Sequence, residues 1–210
     1  GEEQMLLDVL KQKWPLAPVD IARAAPDSIA NGAQTSARMP FQLLVVPRHP
    51  QRFAEVAQLF ADAGYSVSRR GQWGEAPETA DLWVGDSLGE MALYFGMAHV
   101  ALLGGSFAPL GGQNLIEAAA CGVPVFMGPH LFNFTEASTL AAEAGAAQRC
   151  EDIAHAVDEA AATAGDAARL LSMQDAALGL GAAHRGAALK TATEVAAVVR
   201  RGAITAPAGC

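Results

Sequence analysis

Charge is scarce in this chain. Only 17% of its 210 residues are Asp, Glu, Lys or Arg, and its 14 basic residues form no run. With a formal net charge of −8, it is poorly suited to a phosphodiester backbone, which excludes nucleic acid as a main partner. Cysteine is scarcer still. Cys121, Cys150 and Cys210 make an odd set with no close pair, against a disulfide framework and against a zinc site, and a reducing compartment follows. His49, His99, His130, His155 and His184 show no metal-ligand spacing, so no metal is expected.

Several motifs are also missing: G-x-G-x-x-G after a strand, G-x-x-x-x-G-K-[ST], H-E-x-x-H and G-x-S-x-G. Their absence counts against NAD redox chemistry, P-loop hydrolysis, zinc proteolysis and serine hydrolysis. Residues 91–116 carry no charged side chain, but five Gly or Pro residues between Gly104 and Gly112 break the run. It reads as a helix end, a buried strand and a loop rather than a membrane span. No signal-peptide pattern is visible. The opening GEEQMLLDVLKQKW reads as a helix entered in its first turn, as though cut from something longer.

What the chain has is a rhythm. Hydrophobic residues make up 51%, a globular profile. Met5, Leu6, Val9 and Leu10 predict a helix to about Trp14, stopped by Pro15 and Pro18. Residues 22–40 lack a period and read as a flexible connection. Strands are expected at Leu43–Val46, Tyr65–Ser68, Asp81–Gly85, Val100–Leu103, Val123–Met127 and Ala147–Arg149. Between them fall helices at Phe53–Phe60 (closed by Gly64), Leu88–Phe95, an Ala-rich turn after Asn114, and Phe134–Glu143. Two amphipathic helices follow, on Ile153, Val157 and Ala160 and on Leu189, Ala192, Val195, Ala196 and Val199; residues 161–183 are only weakly biased. Strands alternating with helices predict an α/β fold, a parallel sheet covered on both faces, in a single domain spanning residues 1–210.

In such sheets ligands sit beyond the carboxyl ends of the strands. Three segments fall there: PRHP at 47–50, GDSLGE at 85–90 and GGSFAPLGGQN at 104–114. Arg48 and His49 read either as an anion clamp or as a solvated loop that caps a helix. Asp86 or Ser87 reads as a helix N-cap with Glu90 completing a capping box, while Gly89 in the first turn suggests close approach to the backbone. The glycine-rich loop, with Gly104, Gly105, Ser106 and Gly112, leads into a helix start suited to an anionic group. Asn114 and Glu117 fit a reciprocal capping box, and equally a carboxylate that accepts from the two hydroxyls of a ribose. Asn133 and Glu136 repeat that spacing, and there capping is the stronger reading.

The stretches LLVVPRHPQRF and WVGDSLGEMALYFGMAHVALLGGSFAPLGGQNLIEAAACGVPVFMGPHLFNF resemble the carboxyl-terminal half of 3-deoxy-D-manno-octulosonic acid (Kdo) transferases, bacterial glycosyltransferases of lipopolysaccharide core assembly. GEEQMLLDVL resembles the segment after the first strand of that half, and the likeness spans about residues 1–145. It implies a Rossmann-like domain, the carboxyl-terminal half of a GT-B architecture, with its first strand and its amino-terminal acceptor domain missing. It also implies a CMP-Kdo site at Pro47, Arg48, Leu88, Gly89, Glu90, Asn114, Leu115, Ile116 and Glu117. Gln113 and Leu115 stand where relatives usually have His and Pro. The catalytic carboxylate, the lipid A precursor as acceptor and the attachment to the cytoplasmic face of the inner membrane would belong to the missing half. The fragment would be soluble, would bind nucleotide without transferring sugar, and would need no metal cofactor. A UDP-sugar transferase or epimerase domain and a non-catalytic nucleotide-binding module are the alternatives.

Overall fold

The computed structural model describes residues 1–16, 39–184 and 187–204, so most of the connection expected at 22–40, and Cys210, lie outside the described residues. Helix α1 (Glu3–Lys13) buries Leu6, Leu7, Val9 and Leu10, the stripe that its apolar spacing predicts. Strand β1 (Leu43–Val45) follows, and then a 3-10 turn at Pro50–Arg52 that leads into α2 (Phe53–Asp62). Next come β2 (Val67–Arg69), β3 (Leu82–Val84), α3 (Met91–Met97), β4 (Ala101–Leu102) and α4 (Ile116–Ala120). The chain continues through β5 (Val125–Met127), α5 (Thr135–Glu143), β6 (Ala147–Arg149) and α6 (Ile153–Gly165). It closes with α7 (Ala167–His184) and α8 (Ala187–Ile204).

Among the described residues, all strand pairs are parallel. The ladders form two three-stranded sheets, ordered β1-β3-β2 and β4-β5-β6. One core joins the two. Val45, Leu82 and Val84 of the first sheet share it with Phe126 of the second, with α1, and with Ile153, Ala156 and Val157 of α6. Flanking Phe126, Val125 and Met127 point into a second core with Leu115, Ala118, Ala141, Ala177 and Leu180. Alternate residues of one strand thus feed opposite cores, so the sheet is covered on both faces by helices. Phe60, Phe126, Leu10 and Leu82 are fully buried, each contributing about 1.5–3 kcal/mol from apolar burial. Lys13 reaches Asp158 at 2.6 Å, tying the end of α1 to α6.

The weakly biased stretch at 161–183 turns out to hold the end of α6 and nearly all of α7, an 18-residue helix packed along α4. It escapes periodicity because the contact uses small residues. A Cβ on Gly181 would lie 2.7 Å from the Ala120 Cα, so only a glycine lets the two backbones approach this closely. Helix α3 begins at Met91 rather than Leu88, because Gly89 takes φ +78° and cannot continue a right-handed helix.

Candidate functional site

Parallel pairing sends strand ends to one side. Leu43, Leu44 and Val45 pair with Leu82, Trp83 and Val84, and the Gly85 amide then donates to the Val45 carbonyl at 2.9 Å. The loops after β1 and β3 therefore leave the sheet side by side. Pro47 is buried there and Arg48 is exposed, and no ion pair engages Arg48 among the described residues. An unpaired guanidinium at a strand end is available to an anion.

The loop after β3 is fastened from the turn that follows β2. Arg69 pairs with Asp86 at 2.8 Å, and the Gly71 amide donates to the same carboxylate at 2.6 Å. Arg70 pairs with Glu90 at 2.8 Å, while Ser87 donates to Glu90 and shares a bond with Tyr94. Hydrogen bonding by Ser87, helped by the hydrogen bond and charge of Arg70, holds the Glu90 carboxyl below its ordinary range against the opposing desolvation. Neither Asp86 nor Ser87 caps α3, and no side chain caps its first residue. The expected capping box is instead a set of ion pairs. They present Leu88, 73% exposed, and Gly89 on the surface. No protein atom among the described residues would meet a Cβ at Gly89, and its left-handed backbone by itself calls for glycine.

The glycine-rich loop after β4 is held from inside. Ser106, fully buried, donates to the Leu103 carbonyl at 2.6 Å and accepts from the Gly128 amide at 2.8 Å. Gly112 donates to the Gly105 carbonyl at 2.7 Å. The remaining partner is Glu2. One carboxylate oxygen accepts from Gly105 N at 2.6 Å, and the other from Phe107 N at 2.7 Å and Ala108 N at 2.6 Å. Charge-assisted bonds of this length are strong. The Gly105 and Gly112 amides and the Ser106 hydroxyl, expected to face a ligand, are thus engaged within the protein. Gly104 is half-buried beside the Gln113 side chain.

Glu3, next to Glu2, contacts Arg52 at 3.0 Å through both oxygens. Burial alone would raise its pKa. The backbone, the terminal ammonium and Arg52 outweigh that and lower it. The first turn of α1 therefore binds the loop after β4 with one glutamate and the loop after β1 with the next. Helix α3, just past Glu90, packs against α4, just past the glycine-rich loop. The loops after β1, β3 and β4 share one rim.

At the start of α4 the Asn114 side chain accepts from Ile116 N at 3.0 Å and donates to Glu117 at 3.3 Å. This is half of the anticipated box: Asn114 caps, and Glu117 stays exposed with its carboxylate steered by Asn114. Leu115 is 1% exposed and Ile116 packs partly on the second core, so these two meet a ligand through backbone alone. Asn133 does not cap α5. Its amide donates to the Leu110 carbonyl and its backbone N–H to the Gly111 carbonyl, fixing the glycine-rich loop instead.

Sequence reasoning missed Glu2 and Glu3, although a signal existed. Glu2, Leu6 and Leu10 repeat at helical spacing, which puts a carboxylate on the buried stripe of α1. Among the described residues no group of acidic, His and Cys side chains could hold a metal ion, and no helix is long and apolar enough to cross a membrane.

No family model matches the chain. Over 150 residues it is 49% identical to a 3-deoxy-D-manno-octulosonic acid transferase of Bordetella pertussis, covering 71% of this chain and 35% of that protein. A namesake from Haemophilus influenzae is 36% identical over 118 residues, or 56% of this chain and 28% of its own length. The chain thus spans about a third of the length of the curated relatives it matches. A match of 150 residues within 210 necessarily takes in the loops after β3 and β4. Among solved structures, the C-terminal CMP-Kdo binding domain of WaaA from Acinetobacter baumannii has the same fold, with a TM-score of 0.63 at 23% identity. That likeness covers 85% of this chain and 97% of the other.

Proposed function

We propose that this chain, a homologue of 3-deoxy-D-manno-octulosonic acid transferases, is the donor-binding part of such an enzyme and holds CMP-Kdo at the rim just described. One observation carries the reading. The three loops expected to read a nucleotide meet at one edge, and there an unpaired Arg48 and an exposed, steered Glu117 are presented. The CMP phosphate belongs at Arg48, because the neighbouring loop amides of Gly105, Phe107 and Ala108 are already satisfied by Glu2. The two ribose hydroxyls belong at Glu117, and the cytosine edge along the Leu88–Gly89 backbone.

In the whole enzyme the acceptor hydroxyl of a lipid A precursor attacks the anomeric carbon of Kdo. A carboxylate outside this chain removes its proton, the bond to the phosphate oxygen breaks, and CMP leaves with inversion. Charge developing on the leaving phosphate is met by Arg48, so the step needs no metal. The reaction belongs at the cytoplasmic face of the inner membrane, with membrane attachment through the part of the enzyme beyond this chain.

Calorimetry with CMP tests the reading. Glu117→Ala should weaken CMP binding by about ten-fold, the scale of a lost charge-assisted bond. Unchanged affinity would reduce Glu117 to a partner of the Asn114 cap. Binding of UDP in preference to CMP would favour a UDP-sugar enzyme instead.

A further inference from the structure

A second concavity lies on the far side of the glycine-rich loop, where β5 and β6 end. It is an open depression of about 290 Å³ between Pro129, His130, Leu131, Phe132, Thr135 and Arg149. Register brings its two cationic or potentially cationic members together, since Met127 pairs with Arg149 and His130 follows three residues later. The cleft shares a wall with the loop after β4: the His130 amide donates to the Ser106 carbonyl, and the Asn133 amide to the Gly111 carbonyl. A ligand whose nucleotide lies along the rim can therefore extend into it.

The chemistry of the lining is one-sided. It contains an arginine and an imidazole and no carboxylate. Arg149 is oriented by two neutral groups of α5, the hydroxyls of Ser138 at 3.2 Å and Thr139 at 3.1 Å, and no ion pair engages it among the described residues. Hydroxyls steer a guanidinium without cancelling its charge; both bonds use Nη2, so Nη1 and Nε are left to donate to an anion. Phe132, 63% exposed, adds an apolar wall of the kind that packs on a sugar ring.

We propose that this cleft is the subsite for the sugar acid, with Arg149 binding the carboxylate of the donor and His130 completing the contact. The assignment rests on the donor-binding reading above. A CMP-linked octulosonic acid carries two anionic groups, a phosphate and a carboxylate. The protein offers two separate guanidinium positions, Arg48 after β1 and Arg149 at the end of β6. Discrimination for this sugar over a neutral hexose then comes from a charge placed to meet a charge.

Calorimetry of the chain with CMP and with CMP-Kdo separates the two proposals. The sugar acid should improve affinity over CMP by about ten-fold, the worth of a charge-assisted pair. Arg149→Met should abolish that improvement and leave CMP affinity unchanged; Arg149→Lys should recover part of it. If R149M loses its cooperative unfolding transition, His130→Gln carries the test, with an expected loss of about three-fold confined to CMP-Kdo. An improvement undiminished in R149M, or undiminished in H130Q where R149M does not fold, overturns the subsite, as does equal binding of CMP and CMP-Kdo by the unaltered chain. Displacement of CMP-Kdo, but not of CMP, by millimolar inorganic phosphate would assign the cleft to a phosphate group instead. If the unaltered chain binds neither nucleotide, the donor reading fails first and the subsite falls with it.

Discussion

Glu2 does much to shape the candidate site from inside the protein. Its carboxylate satisfies three amides of the glycine-rich loop, two of them from consecutive residues, in a place that is 9% exposed. Removing it strands donors that cost about 1–3 kcal/mol each when unpaired. Glu2→Ala should therefore lower stability by roughly 3 kcal/mol in urea unfolding, and Glu2→Gln by less, since one oxygen remains. A loss under ~0.5 kcal/mol would mean the loop holds itself. A second test concerns thiols. Cys150 is buried and its pKa is pushed up to about 11, first by desolvation and then by Glu159 and Asp152, while Cys121 is exposed. In a Cys210→Ser chain, iodoacetamide at mild pH should modify Cys121 quickly and spare Cys150 until the protein unfolds. Rapid modification of both would contradict the burial.

At the scale of elements, legibility followed apolar spacing. Helices α1, α2 and α6 and every strand were visible because large aliphatic residues recur at period 3.6 or in short buried runs. Helix α7 was invisible because it meets α4 through Ala177 and Gly181, which leave no hydrophobic rhythm. Gly181→Val should thus destabilise by about 1–3 kcal/mol through overpacking, with faster hydrogen exchange in α4 and α7 first. Exchange unchanged in both helices would refute the close contact. The site loops were legible in residue type but not in role. Glycines and capping residues announced turns at strand ends, yet two carboxylates read as caps, and Glu2 that was not, were spent otherwise. Asp86 and Glu90 pair with arginines 17 and 20 residues away, and Glu2 reaches amides more than a hundred residues downstream. Partners so distant in sequence carry no local pattern.

Across the whole molecule, the rim is assembled by ion pairs between elements, which makes it sensitive to acid. Glu3 and Glu90 both titrate below the ordinary carboxylate value of 4.5 when folded. Such groups stabilise the fold fully above their unfolded value, and that contribution is lost as pH falls through the folded one. Urea midpoints should hold steady near neutrality and fall below about pH 4.5, and Arg52→Met should flatten the fall by removing the partner of Glu3. A steeper fall in R52M would contradict the brace between α1 and the loop after β1.

The central claim is that loops after three strands form one nucleotide-reading edge. The most direct measurement is a crystal structure of the chain soaked with CMP. The expected result is a phosphate within hydrogen-bonding distance of Arg48, with the ribose hydroxyls on Glu117 and the base along Leu88–Gly89. CMP bound away from this edge, or touching Arg48 with Glu117 out of reach, would contradict it.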